Sequence, residues 1–134
     1  MSSSPQKSIL IVEDSEFIRS MTEFVLRSHG YVTFAAENGK VAIEMLKKQQ
    51  FDLVLMDISM PVLDGREAMS IIKNKLKIPI KVIAYTSEKC MDGNCCEQYG
   101  FLDYLHKSCS KERLLQTLRK YLFSGNESKV AYID

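Results

Sequence analysis

The stretch LVLMDISMPVLDG, residues 53–65, begins with four apolar residues and then reaches a single carboxylate, Asp57. An apolar run of this length is typical of a parallel strand that is buried on both faces. Pro61 and the pair Asp64 and Gly65 favour turns, so we interpret them as structural residues of a loop that ends the strand. A carboxylate at the end of a buried strand makes Asp57 the first candidate functional residue.

Four other short segments resemble strands, because they are rich in β-branched and aromatic residues. These segments are SILIV (8–12), YVTFA (31–35), KVIAY (81–85) and FLDYL (101–105). Between the strands, apolar residues recur at intervals of three and four, which indicates amphipathic helices. Five strands alternating with five helices predict an α/β fold, in which a doubly wound parallel sheet is covered by helices on both faces in three layers.

Boundary residues support these helices. Gly30 stands where a left-handed C-terminal cap ends the first helix, and Ser110 is a suitable N-cap for the last one. The fourth helix, within 87–99, has the weakest pattern, because Gly93 costs about 1 kcal/mol relative to alanine. The apolar positions of the other helices are Phe17, Met21, Phe24 and Val25; Val41, Ala42, Met45 and Leu46; Ala68, Ile71 and Ile72; and Leu114, Leu115, Leu118 and Leu122.

Composition excludes several classes of protein. The 134 residues suit one domain, which we expect at 8–123 between a disordered N-terminal segment (1–7) and a polar C-terminal tail (124–134). The 18 basic and 17 acidic residues give a net charge of +1, so we expect no direct binding of nucleic acid. No apolar run is long enough for membrane insertion, and we expect a soluble, cytoplasmic protein.

The four cysteines do not form a recognisable site. Cys90, Cys95, Cys96 and Cys109 lack paired C-x-x-C spacing, and two adjacent cysteines make a poor disulfide framework. Structural or incidental thiols are therefore favoured over a redox or metal-binding role.

Polar residues follow four of the predicted strands at the end where parallel sheets bind ligands. They are Glu13, Asp14, Asp57, Thr86 and Lys107. Taken singly, each is explained as a helix cap or a solvated surface residue. Their joint placement at one edge of the sheet is what indicates a site.

The chemistry of this set suggests phosphoryl transfer. Carboxylates repel one another by about 1 kcal/mol per pair at 4 Å in water, so such a cluster either raises a carboxyl pKa or holds a cation. Because all candidate ligands are oxygens, Mg²⁺ fits better than zinc or copper. If Asp57 attacks a phosphorus, the metal and Lys107 can meet the arriving charge, while Thr86 donates a hydrogen bond to another oxygen.

Four motifs in their order and spacing resemble the receiver domain of two-component response regulators, over nearly the whole chain. These are IVEDS (11–15), LMDISMPVLDG (55–65), AYTS (84–87) and DYLHK (103–107). The resemblance implies a flavodoxin-like fold with strand order 2-1-3-4-5. It also implies that the protein is a signalling phosphoacceptor and not an enzyme. Such a phosphoacceptor receives a phosphoryl group from a histidine kinase or histidine phosphotransfer protein, and it catalyses its own phosphorylation and dephosphorylation.

The resemblance further implies a role for each matching residue. Asp57 is the phosphoacceptor, and Thr86 and Lys107 contact the phosphoryl oxygens. Tyr104 occupies the aromatic switch position, coupled to Thr86, and the switching surface combines the fourth helix, fifth strand and fifth helix. The ligands of Mg²⁺ are Glu13, Asp14, Asp57 and the backbone carbonyl of Ser59, while the side chains of Ser59 and Glu88 tune the lifetime of the phosphoryl group.

Two departures from the family pattern concern geometry and output. Ser108 stands where the family usually has a proline in a cis peptide, and a cis bond costs 3 to 4 kcal/mol without proline, so a trans peptide is favoured after Lys107. The fourth helix contains cysteines and a glycine, so the output partner is not carried over from the resemblance.

Three alternatives stay open. A phosphatase of the haloacid dehalogenase kind also uses an aspartate after a strand, but it places a second acid where this chain has Ser59. A flavodoxin-like cofactor binder needs a phosphate-binding loop after the first strand, whereas the loop here is EDSE (13–16). A receiver-like interaction module that acts without phosphorylation is the third alternative.

Overall fold

The computed structural model of the protein describes residues 6–88 and 97–123. Its five strands form one parallel sheet in the order β2-β1-β3-β4-β5. This arrangement confirms the predicted fold class and strand order, with strand bounds within two residues of the predicted ones. The strands are β1 (Ser8–Val12), β2 (Val32–Ala36), β3 (Leu53–Met56), β4 (Val82–Thr86) and β5 (Asp103–His106).

Four α-helices lie within the described ranges, whereas the sequence pattern predicts five. They are α1 (Glu16–Arg27), α2 (Gly39–Lys48), α3 (Gly65–Ser70), which continues as a π-helical turn (Ile71–Lys75), and α4 (Lys111–Leu122). The helix predicted as the fifth is thus α4, and Ser110 is its N-cap. Of the predicted fourth helix, residues 89–96 lie outside the described residues, and Glu97–Tyr99 form a single 3₁₀ turn.

Burial of both sheet faces explains the continuous apolar strands. Successive residues of β3 contribute to opposite faces: Val54 and Met56 join the core under α2 and α3, while Leu53 and Leu55 join the core under α1 and α4. All four side chains of β3 are fully buried. The strand that ends at the candidate site is therefore held by packing on both sides.

The side chains that α1 buries against the sheet are not the ones that the apolar spacing in the sequence predicts. Phe17, Met21 and Phe24 are 71%, 53% and 74% exposed, whereas Thr22 and Leu26 are buried. The helix has two stripes of side chains that are offset by one residue, which corresponds to a rotation of about 100° around the helix axis. Only one of these stripes can face the sheet. The structure buries the second stripe and leaves the first as an exposed apolar strip.

The loop after β3 is held close to Asp57. Asp64 caps α3 through a reciprocal capping box with Glu67. The backbone N–H of Gly65 donates to the carbonyl of Ile58 at 2.7 Å, which brings the start of α3 against the backbone beside Asp57. Gly65 therefore serves a close backbone approach in addition to the predicted turn.

Several sequence predictions fall outside the described part of the chain. Cys90, Cys95, Cys96 and the tail 124–134 are among them, as is most of the N-terminal segment 1–7. Cys109 is a free thiol whose pKa is raised by burial. Among the described helices, none combines the length and apolar character needed to cross a bilayer.

Candidate functional site

Strand register brings the acidic residues together. β1 and β3 are neighbours with Val12 opposite Met56, so the residues that follow them, Glu13 and Asp57, lie side by side. The N–H of Asp57 donates to the carbonyl of Val12 at 3.0 Å, which extends the ladder to the site. Carboxylate oxygens of Glu13, Asp14 and Asp57 all lie within 4.8 Å of one another. The predicted acidic cluster is thus formed.

Two of these carboxylates are buried and incompletely paired. Glu13 and Asp57 are 3% and 4% exposed, while Asp14 is exposed. Oδ1 of Asp57 and Oε1 of Glu13 accept no hydrogen bond, although Oε1 lies 2.5 Å from the ammonium of Lys107. Buried, unbonded carboxylate oxygens are costly, and an all-oxygen set matches the ligands that Mg²⁺ prefers. The residues present therefore fit a magnesium site.

Lys107 supplies the positive charge of the site from the end of β5. Its Nζ donates to Oδ2 of Asp57 at 2.8 Å, and its backbone N–H donates to the carbonyl of Thr86 at 2.9 Å. The structure contains no cis peptide in its described residues, so the bond between Lys107 and Ser108 is trans. The replacement of the family's proline by Ser108 is therefore compatible with a lysine that reaches Asp57.

Burial and charge shift the pKa values of Glu13 and Lys107. Burial raises the pKa of the Glu13 carboxyl, and the charge of Asp57 adds to this, against the opposing effect of the Lys107 ammonium. Burial alone would lower the pKa of Lys107, but its contacts with Asp57 and Glu13 outweigh it and raise that pKa. The ammonium therefore stays charged, held between two carboxylates.

Thr86 and Tyr104 are linked through the backbone of Glu88. Thr86 is fully buried at the end of β4, and its hydroxyl oxygen accepts a hydrogen bond from the Glu88 N–H at 3.2 Å. The hydroxyl of Tyr104 donates to the Glu88 carbonyl. The half-buried ring of Tyr104 also packs against the core under α2 and α3. The two residues assigned to the switch thus contact the same peptide segment.

The two predicted rate-tuning residues have different surroundings. Ser59 is exposed in the loop after β3. The carboxylate of Glu88 is paired with Arg66 at 2.6 Å, and both side chains are about one-third exposed. Arg66 was not indicated by the sequence pattern, because its partner lies 22 positions away along the chain and only the packing of α3 beside the loop after β4 brings them together.

One further polar residue at this edge, His106, was also not indicated by the sequence. Its ring contacts the carbonyl of Ser87 at 3.1 Å and both the hydroxyl and the backbone N–H of Ser108. The available signal was its spacing of two from Tyr104, which places both side chains on the same face of β5.

The comparisons with known proteins identify the family. The profile of the response regulator receiver domain matches residues 9–119, so the chain belongs to the receiver domain family of two-component systems. Proteins of this family are signalling phosphoacceptors rather than conventional enzymes, and their acidic site is compatible with Mg²⁺. The predictions of fold, family and broad function are thereby confirmed.

Individual relatives show how much of each protein the chain resembles. The polar-differentiation response regulator DivK of Brucella anthropi is 32% identical over 87% of this chain and 96% of its own length. A protein-glutamate methylesterase/protein-glutamine glutaminase of Syntrophomonas wolfei is 34% identical over 77% of this chain. The matched region makes up only 30% of the length of that protein. The receiver domain of a sensor histidine kinase from Pseudomonas aeruginosa, solved with a magnesium ion in its active site cleft, superposes with a TM-score of 0.78 at 31% identity, covering 88% of this chain and 98% of that one.

Proposed function

We propose that this receiver domain accepts a phosphoryl group on Asp57 from the phosphohistidine of a histidine kinase or histidine phosphotransfer protein. The observation that carries the proposal is the asymmetry of the Asp57 carboxylate. Oδ2 is held by Lys107 at 2.8 Å, while Oδ1 is buried without a hydrogen-bond partner. Lys107 orients the carboxylate, and the lone pairs that accept no hydrogen bond stay available for the metal and for attack on phosphorus.

In the proposed transfer, one oxygen of the Asp57 carboxylate forms a bond to phosphorus as the bond from phosphorus to the donor's imidazole nitrogen breaks. The departing imidazole keeps the electron pair of that bond. Lys107 keeps the carboxylate oriented and then donates to an oxygen of the phosphoryl group, and the Thr86 hydroxyl donates to another. Catalysis on this scheme is positioning and charge stabilisation, as in other phosphoryl transfers.

The metal would be held by the carboxylates of Glu13, Asp14 and Asp57 and by the backbone carbonyl of Ser59. When bound, Mg²⁺ would supply positive charge that stabilises the negative charge developing on the phosphoryl oxygens. Lys107 provides the second positive charge from the protein itself. We further propose that the same site catalyses loss of the phosphoryl group, at a rate that Ser59 and Glu88 modulate.

The link through Glu88 supports a switch at Thr86 and Tyr104. If Thr86 turns its hydroxyl toward a phosphoryl oxygen, the hydrogen bond from the Glu88 N–H is strained, and the Glu88 carbonyl that Tyr104 contacts moves with it. A phosphoryl group on Asp57 would thereby alter the surface formed by Glu88, β5 and α4. The alternative of a module that acts without phosphorylation gains no support from the described site.

The exposed apolar strip of α1 supports docking of a donor protein. Phe17, Met21 and Phe24 project from the helix that begins two residues after Asp14. Contiguous exposed apolar side chains are typical of protein interaction sites. A partner that covers this strip would come within reach of the acidic cluster. The output partner and the cytoplasmic location stay predictions.

We predict that incubation with acetyl phosphate and Mg²⁺ adds one phosphoryl group to the protein and that Asp57→Asn abolishes the gain. The amide is a poor nucleophile and cannot form the acyl phosphate. Intact mass spectrometry measures the result, with chelated metal as a second condition. Asp52→Asn is the matched control, because this exposed aspartate precedes the opposite end of β3 and the amide keeps an acceptor oxygen for the Ser8 N–H.

A gain that persists in Asp57→Asn would show that another residue is the acceptor. A folded wild-type protein that gains no mass from acetyl phosphate, nor from a phosphorylated histidine phosphotransfer protein, would contradict the proposal.

A further inference from the structure

His106 is the last residue of β5 and directly precedes Lys107. Both of its ring nitrogens are engaged. Nε2 lies 3.1 Å from the carbonyl oxygen of Ser87, and Nδ1 lies 2.7 Å from the hydroxyl and 3.1 Å from the backbone nitrogen of Ser108. We call these contacts the His106 network.

The chemistry of the partners determines the protonation of each nitrogen. A carbonyl oxygen only accepts hydrogen bonds, so Nε2 must carry a proton toward Ser87. A backbone N–H only donates, so Nδ1 must present a lone pair to Ser108. The network therefore selects the neutral imidazole with its proton on Nε2.

The network joins the two segments that carry the proposed phosphoryl-contacting residues. Ser87 follows Thr86 at the end of β4, and Ser108 follows Lys107 at the end of β5. The ring therefore bridges the residues that directly follow Thr86 and Lys107. Tyr104 contacts the next carbonyl along the same loop, that of Glu88.

We propose that His106 is a positioning residue for phosphoryl transfer to Asp57, an inference that rests on the proposed function. Its hydrogen bonds hold the end of β5, and with it the backbone of Lys107, at a constant distance from the loop that follows Thr86. The network depends on this chain's departure from the family pattern, because a proline at position 108 has no N–H to donate to Nδ1. Ser108 and His106 together provide the restraint.

The tautomer of His106 is directly measurable by ¹⁵N NMR of the imidazole rings. The chain has only two histidines, and the second is His29, whose Nδ1 lies 3.0 Å from the carbonyl of Val25. The structure therefore predicts opposite neutral tautomers, with the proton on Nε2 in His106 and on Nδ1 in His29. Spectra recorded above the usual histidine pKa of about 6.5, with His29→Phe for assignment, test this prediction. A proton on Nδ1 of His106, or averaging between tautomers, would overturn the network.

The functional test compares rates of phosphorylation by acetyl phosphate at saturating Mg²⁺. His106→Phe keeps a ring of similar size but removes the hydrogen bonds of both ring nitrogens, and we expect the rate to fall about fivefold through misplacement of Lys107. His106→Gln places an N–H near the position of Nε2, and we expect it to recover the rate to within about twofold of wild type, which a merely space-filling role would not produce.

His29→Phe is the matched control and should keep the wild-type rate. Wild-type protein that takes no phosphoryl group would contradict the proposed function itself. If wild-type protein is phosphorylated no faster than a folded His106→Phe variant, only the role of His106 is overturned. The same conclusion follows if His106→Gln is phosphorylated as slowly as His106→Phe.

Discussion

Replacing Lys107 with alanine is expected to lower the free energy of unfolding by about 3 kcal/mol in metal-free buffer. The substitution removes one ammonium from two carboxylates that are 3% and 4% exposed, those of Glu13 and Asp57. The attraction between Lys107 and each carboxylate is lost, and the repulsion between the two carboxylates remains. Removing one partner from a buried charge group is costly because the remaining charge is left uncompensated.

The loss should depend on pH in a definite direction. The pKa of Glu13 in the folded protein lies above its ordinary value of 4.5, so the folded state binds the proton more tightly than the unfolded state. Stability from this group is fully present below the ordinary pKa and is lost as pH rises through the folded value. Without the Lys107 ammonium the folded pKa rises further, so the deficit relative to wild type should be larger at neutral pH than near pH 4.5.

Urea unfolding of wild type and Lys107→Ala, with chelator and with Mg²⁺, measures the effect. Added Mg²⁺ should restore part of the lost stability, because binding to the folded state alone stabilises it. Lys47→Ala is the control: its ion pair with Glu44, at 3.6 Å, is about half exposed and should contribute little. An equal loss for the two variants would show that the lysine between Glu13 and Asp57 is no more important than a surface ion pair.

Gly65→Ala is expected to lower the free energy of unfolding by about 2 kcal/mol and to slow phosphorylation of Asp57 by about tenfold or more. An added Cβ would lie 2.5 Å from the carbonyl oxygen of Asp57 and 2.8 Å from Cα of Ile58. Both neighbours are backbone atoms that cannot rotate away, so the start of α3 or the residue after β3 has to shift. The shift falls on the residue that carries the proposed nucleophile.

Gly30→Ala separates the two effects of this prediction. Gly30 has a φ of +92° and nothing within 4 Å of an added Cβ, so alanine there costs about 1 to 2 kcal/mol of backbone strain without a clash. We expect Gly30→Ala to be destabilised but phosphorylated at the wild-type rate, since it lies at the far end of α1. Chemical denaturation and the acetyl phosphate time course measure both quantities. A Gly65→Ala variant that is phosphorylated normally would show that the close approach has no effect on the site.

The fold class and the grouping of five candidate site residues can be predicted from the sequence. Strand and helix patterns depend on local periodicity, and the apolar run 53–56 is readable because both faces of the strand are buried. Parallel strands place their carboxyl ends at one edge, so the sequence predicts a site formed by Glu13, Asp14, Asp57, Thr86 and Lys107. Their residue types then indicated an oxygen-ligand metal and phosphoryl transfer.

Contacts between side chains depend on tertiary packing, which local sequence patterns do not specify. The buried stripe of α1 contains Thr22 instead of Phe17, because the orientation of the helix on the sheet, and not the hydrophobicity of single residues, selects the face. The hydrogen bond between Lys107 and Asp57 spans 50 positions of the chain, and its geometry depends on the register of β3, β4 and β5. The His106 network likewise depends on where the loop after β4 meets β5. Such contacts lie between residues distant in sequence, and local patterns do not specify their distances.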